Sequence, residues 1–328
     1  MASDVDYVMS VRAVRNGAFV ADVGPTRFLA VPVGSYPAPD QSMAASAWCK
    51  AVQTAGEWKN DKGEARGDIL FIVHGYNMSE QEIMDRHRRI KTDLATLKFK
   101  GVIVSFDWPC SNSALAYLAD RHRAKETALR LVDDGIRQLS ARQTPDCAVN
   151  IHLLAHSTGA YVIREAFDDA DDTELKQSSW LVSQVMFAAG DVSAGSMSDG
   201  NPGAVSVYNH CLRLTNYSNQ HDIVLDISNV KRIGVAPRVG RIGLPGDAPL
   251  KAVNVDCTEY YALLDSDATV EQADEPLGRP GTASHSWYFG NAIFTRDVFE
   301  TLIGLENNQR STRIRGSDGR LHLARGNA

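Results

Sequence analysis

Apolar and polar positions along this chain follow two rhythms. Continuous apolar runs at Ile69 to Val73, Val102 to Phe106 and Val149 to Ala155 have the length and branching of strands buried on both faces. Between them the apolar residues fall at helical spacing. Ile83, Ile90, Leu94 and Leu97 share one face of a helix that Ser79 and Glu82 open with a capping box. A long helical stretch is predicted from Ser111 to Leu139 with a break near Asp120, and another helix from Thr158 to Phe167. Further strands are expected at Trp180 to Ala189, Leu212 to Tyr217 and Val253 to Tyr261, then a helix from Phe294 to Ile303 stopped by Gly304. The opening reads as short strands (Val8 to Val14, Ala18 to Val23, Arg27 to Val33), a helix over Gln41 to Gln53 and a polar loop from Lys59 to Asp68. Strand and helix alternate through most of the chain. The expected fold class is therefore α/β, a mainly parallel central sheet with helices on both faces.

The most specific signal is Val149-Asn-Ile-His-Leu-Leu-Ala-His-Ser-Thr-Gly159, a strand, a sharp turn and a helix with Ser157 at the apex. Small residues at Ala155 and Gly159 let strand and helix pass closely, although glycine is usual at the first of these positions. A serine hydroxyl needs a histidine to take its proton and an acid to orient that histidine. In open α/β sheets such groups gather beyond the carboxyl ends of the strands. The acid candidates are Asp191, Asp222 and Asp226. Asp222 is preferred because its polar loop lets a carboxylate reach across, with Asp191 as the alternative. Of nine histidines, His285 follows the acid and gives the order Ser, Asp, His. His156 should point away from the Ser157 hydroxyl, and His152 should be a hydrogen-bonded core residue. His87 and His122 are expected at the surface or boundary of their helices, and His210 and His221 could serve Asp191 in a rival arrangement. The oxyanion of an acyl-transfer intermediate would be met by the amides of Thr158 and Tyr76, the latter in the loop His74-Gly-Tyr-Asn77, with His74 bracing that loop.

These motifs, with Trp108-Pro-Cys-Ser111, Tyr117-x-x-Asp-Arg121, Asn219-Gln-His-Asp222 and His285-Ser-Trp-Tyr, resemble those of the α/β-hydrolase superfamily, and within it a bacterial group of esterase-like serine hydrolases. The resemblance spans Asp68 to Gly304. It implies an α/β-hydrolase catalytic core over residues 61–304; residues 1–60, which it does not cover, read as strands and a short helix of the same domain. A polar basic tail over 305–328 (Arg310, Arg313, Arg315, Arg320, Arg325) is expected to be disordered. Relatives that place aspartate at the elbow are dehalogenases and epoxide hydrolases; serine implies hydrolysis of a carboxylic ester through an acyl-enzyme. A lipase, thioesterase or amidase would use the same residues, and a non-catalytic binding protein is the alternative from another class.

Composition narrows the rest. With 44% apolar and 23% charged residues the chain of 328 residues is ordinary for a globular protein, and its net charge of -6 argues against a nucleic-acid partner. No run is long enough for a membrane span. The start lacks the basic and apolar segments of a signal peptide, and the five cysteines are odd in number and scattered, so a reduced cytoplasm is the expectation. No metal-ligand spacing occurs and no cofactor is called for. His74, Asn77, Trp108, Tyr117 and Trp287 are expected to line the substrate pocket. Short loops at 192–210, 227–250 and 262–284 should form its mouth. The last carries Asp265, Asp267, Glu271, Asp274 and Glu275, an acidic rim expected to disfavour anionic substrates and select small or medium neutral esters.

Overall fold

In the computed structural model, residues 5–110, 117–141, 148–177, 179–230, 236–278 and 281–326 are described. Among these described residues twelve strands form one sheet. They are β1 (Val5–Arg15), β2 (Ala18–Pro32), β3 (Ser42–Met43), β4 (Glu57–Lys59), β5 (Ala65–Val73), β6 (Val102–Asp107), β7 (Ala148–His156), β8 (Val182–Ala188), β9 (Cys211–Ser218), β10 (Ala252–Asp256), β11 (Arg313–Arg315) and β12 (Leu321–Leu323). Their order is β11-β12-β10-β9-β8-β7-β5-β6-β1-β2-β3, with β4 paired to the start of β5. From β12 across to β1 every neighbouring pair is parallel, and antiparallel pairs stand only at the two edges and at β4.

The helices are α1 (Ala45–Gly56), α2 (Glu80–Thr96), α3 (Tyr117–Arg130), α4 (Arg137–Ser140), α5 (Thr158–Asp171), α6 (Pro202–Asn209), α7 (Ile223–Val230), α8 (Val239–Ile242), α9 (Thr258–Ser266), α10 (Ala268–Asp274), α11 (Ala283–Ser286) and α12 (Ala292–Leu302). Both faces of the sheet are covered because side chains alternate along each strand. On β5, Ile69, Phe71 and Val73 enter one core with α1, α3 and α5, while Leu70 and Ile72 enter a second with α2, α9 and α12. The capping box of α2 forms as read: the Ser79 hydroxyl accepts from the Glu82 amide at 3.2 Å, and the Glu82 carboxylate accepts from the Ser79 amide at 2.8 Å. Gly304 adopts φ 81 and closes α12.

Several expectations are corrected. The polar stretch after Lys59 is the turn of a hairpin between β4 and β5. The long helix does not break near Asp120; α3 runs into a π-helical stretch, Leu131–Ile136, and then α4. The stretch read as a strand to Tyr261 leaves the sheet after Asp256, and Tyr260 and Tyr261 face the core from α9. His87 is buried, with Nδ1 2.8 Å from the Ser105 hydroxyl. The basic tail forms β11 and β12 at the sheet edge. Arg313 is buried there, its guanidinium donating to Asp297 on α12 at 2.6 and 2.8 Å. A buried carboxylate with several donors fixes the segment, and net charge along the sequence carries no sign of it.

Candidate active site

Strand order reverses between β5 and β7: β5 leads to β6 on one side, and the chain then returns to lay β7 on the other. Loops leaving the carboxyl ends of β5 and β7 diverge there and leave a crevice. Ser157 follows β7 at that point with φ 54 and ψ −123, a conformation that L-residues rarely hold. The turn persists because its neighbours fix it. The Ser157 amide donates to Ala188 O at 3.0 Å, and its carbonyl accepts from the Asp191 amide at 3.0 Å. Gly159 is obligatory, since a Cβ there would sit 2.2 Å from Val73 O. Ser157 caps α5, so the positive end of that helix and the Thr158 amide lie at the serine.

The loop after β5 closes against the same point. A Cβ on Gly75 would lie 3.0 Å from the Ser157 Cβ. His74 braces this loop: Nδ1 donates to Gly75 O at 2.7 Å, and Nε2 accepts the Trp108 amide at 3.2 Å. Beneath it Arg12 of β1 holds Asp107 at 2.7 Å and reaches the carbonyls of Met78 and Cys110. Burial opposes ionisation of Asp107, but Arg12 overrides it and holds the carboxyl at about 2.

His285, on α11, places Nδ1 2.7 Å from Asp222 Oδ2. The other Asp222 oxygen accepts the Leu225 amide at 2.9 Å, and the residue is fully buried. Asn219 donates to Ser284 O at 3.1 Å and ties the acid loop to the histidine loop. His156 lines the same cavity. Its Nε2 donates to His285 O at 2.9 Å, and its Nδ1 accepts from Arg86 at 3.2 Å. Burial, then the adjacent His285 and Arg86, push its pKa well below the usual value, so it stays neutral and acts as a fixed strut. Asp191 does not meet His285; it is buried against Arg238 at 3.0 Å. Asp226 is paired with Arg241 at 3.3 Å. His210 binds Asp171 at 2.8 Å and stacks on Trp180, which takes it out of any arrangement with Asp191.

A cavity of about 180 Å³ opens over Ser157 and His285, with Tyr76, Asn77 and Thr282 in its wall. Trp108 and Trp287 are not part of that wall. Trp108 is buried, stacked on His74 and donating to His74 O at 2.9 Å. Trp287 is buried among Tyr260, Tyr261, Tyr288 and Phe294. His74 is likewise behind the loop rather than in the wall. The side chain of Tyr117 and all of Ser111 lie outside the described residues. The acidic rim is also absent from this cavity. Its residues lie on α9 and α10 and just beyond them: Asp267 caps α10, and Asp274 and Glu275 are buried against Tyr260 and Asn291. Asp265 lines a neighbouring hollow of about 400 Å³ with His221 and Tyr261. The sequence reading missed Arg86 and Glu82, which do line the cavity over Ser157. One signal was available, because Arg86 falls on the apolar face that Ile83 and Ile90 define.

Among the described residues no cluster of His, Cys, Asp and Glu is placed to hold a metal, and no helix is long and apolar enough to cross a membrane. No curated protein matches the chain. Among solved structures, polyneuridine aldehyde esterase is 16% identical over 43% of this chain and 48% of its own, with a TM-score of 0.24, so the chain spans about half of that protein. An esterase/lipase from an uncultured bacterium is 11% identical over 73% of this chain and 90% of its own (TM-score 0.32). Esterase B from Lactobacillus rhamnosis with a C4-C4 SN3 tributyrin phosphonate is 9% identical over 72% and 75% (TM-score 0.36). The family model described as "Alpha/beta hydrolase of unknown function (DUF900)" matches residues 52–252, more than half of the chain. With its parallel sheet and helices on both faces, the chain belongs to this α/β-hydrolase family.

Proposed function

We propose that the chain is a serine-dependent carboxylic-ester hydrolase acting through an acyl-enzyme. The observation that carries this reading is His285 held on the buried Asp222 at 2.7 Å in the wall of the cavity that contains the strained Ser157. In the first step the Ser157 Oγ attacks the acyl carbon and His285 Nε2 takes the hydroxyl proton. Asp222 keeps the imidazole in the tautomer whose Nε2 can accept and stabilises the imidazolium. The carbonyl π-electrons move to oxygen, where the amides of Thr158 and Tyr76 receive the charge; each such donor contributes about 3 kcal/mol. Collapse expels the alcohol, which takes the proton from His285. Water then attacks the acyl-enzyme with His285 again as base, and the acid leaves as Ser157 recovers its proton. No step calls for a metal or an organic cofactor. The substrate is a small-molecule ester.

The test is hydrolysis of p-nitrophenyl esters from acetate to long acyl chains by the native protein and Ser157→Ala. The expected result is turnover that vanishes in the variant while its unfolding curve is retained. Undiminished turnover by Ser157→Ala refutes the nucleophile.

A further inference from the structure

The wall of the cavity over Ser157 contains a guanidinium that forms no ion pair among the described residues. Arg86 lies on α2, and its Nη1 donates to His156 Nδ1 at 3.2 Å. Its guanidinium carbon sits 4.5 Å from the centre of the Phe289 ring. Among the described residues it makes no ion pair, and its Nε and Nη2 donate to nothing. The fully buried arginines are all paired, Arg12 with Asp107, Arg238 with Asp191, and Arg310 and Arg313 with Asp297. Glu82, one turn earlier in the same wall, gives one carboxylate oxygen to the Ser79 amide and hydroxyl at 2.8 Å each and makes no ion pair with Arg86. Burial lowers the Arg86 pKa to about 10, with Glu82 opposing that shift, so the group remains cationic at neutral pH.

A part-buried guanidinium facing a cavity attracts a counter-charge more strongly than one in open water. Arginine presents its donors in a planar fork that matches a carboxylate. His156 holds one arm of this fork and fixes its direction, and Phe289 covers one face, so the remaining edge is preorganised. The acidic residues of the 262–284 segment lie outside this cavity, and Glu82 is the carboxylate in its wall. We propose that Arg86 binds a carboxylate carried by the substrate, so that the preferred substrates are half-esters of short dicarboxylic acids or similar anionic esters. This inference rests on the reading of the cavity as a serine esterase site.

Binding can be tested without turnover. Calorimetric titration of monomethyl glutarate and dimethyl glutarate into Ser157→Ala should show the anion bound roughly tenfold or more tightly, the range of a charge-assisted hydrogen bond. Adding Arg86→Gln should abolish that preference, and Arg86→Lys should restore part of it. Equal affinity for the two esters in the Arg86-containing protein overturns the proposal. In protein with Ser157 intact, the ratio of kcat/KM for the half-ester over the diester should fall at least tenfold on Arg86→Gln. If Arg86 only steadied His156, both substrates would decline together and the ratio would hold, which also overturns it. Anion binding without hydrolysis of either ester would instead refute the esterase reading and leave the anion site standing.

Discussion

Replacing Arg313 by methionine leaves Asp297 buried beneath the last two strands without its principal counter-charge. In the native protein Asp297 accepts two guanidinium hydrogen bonds, at 2.6 and 2.8 Å, and neither partner's side chain is exposed. Removing one member of such a pair costs about 3–5 kcal/mol. The carboxylate would retain the Tyr217 hydroxyl at 2.6 Å and the Thr312 hydroxyl at 2.6 Å, with Arg310 3.8 Å away. Those residual partners place the expected loss near the lower end, about 3 kcal/mol. Urea denaturation read by far-UV circular dichroism should show a lower midpoint at unchanged slope. Adding Asp297→Asn should recover much of the loss, because the uncompensated charge is then gone. The sign with pH is fixed as well. Arg313 holds the Asp297 pKa below its ordinary value, whereas burial alone would raise it, so the penalty of Arg313→Met should shrink as pH falls and the carboxyl becomes neutral. A loss under about 0.5 kcal/mol, the size for a solvated surface residue, would refute the reasoning.

Three further expectations concern the site and its support. Asp222→Asn should lower kcat by about 10³–10⁴ with little change in KM, whereas Asp191→Asn should spare kcat and reduce stability by stranding Arg238; equal kinetic effects would reverse the assignment of the acid. Gly159→Ala should fail to fold or lose all turnover, because its Cβ would press to 2.2 Å from Val73 O, and a well-folded active variant would contradict the elbow geometry. Acid should destabilise the fold in two stages. His156 stays neutral where the unfolded chain takes a proton, so stability falls from about pH 6.5 downward; Asp68, Asp107 and Asp297 have depressed pKa values, so more is lost below about pH 4. Urea midpoints that stay flat between pH 7 and pH 4 would contradict the first stage.

How much of this was legible depends on how local the cause is. The buried strands and the α2 cap could be read because apolar runs and capping boxes act over a few residues. Ser157 and Asp222 each follow a strand that announces itself, and His285 was named from its order in the chain; the structure pairs His285 with Asp222. Misreadings arose where a distant partner decides. Val253 to Tyr261 carries enough apolar residues for a strand, but the parallel pairing with β9 ends at Asp256 and the tyrosines turn inward from a helix. Trp108 and Trp287 have the size and position of pocket walls, yet His74 and the tyrosines of α9 claim them. Arg313 looks like any tail arginine until Asp297, sixteen residues earlier, is seen to need it.

The first strand has a consequence for how the protein is made. Arg12 and the Asp107 that neutralises it are 95 residues apart in sequence, and the parallel partner of β1 is β6. On a growing chain β1 and β2 can pair locally as a hairpin, yet one edge of β1, with Tyr7, Val8 and Met9, stays open until residue 107 has emerged. During that interval the nascent hairpin presents an apolar strand edge and an unneutralised arginine, the form most exposed to intermolecular pairing. Synthesis rate through residues 33 to 107 therefore bears on yield of the native protein, independently of its final stability.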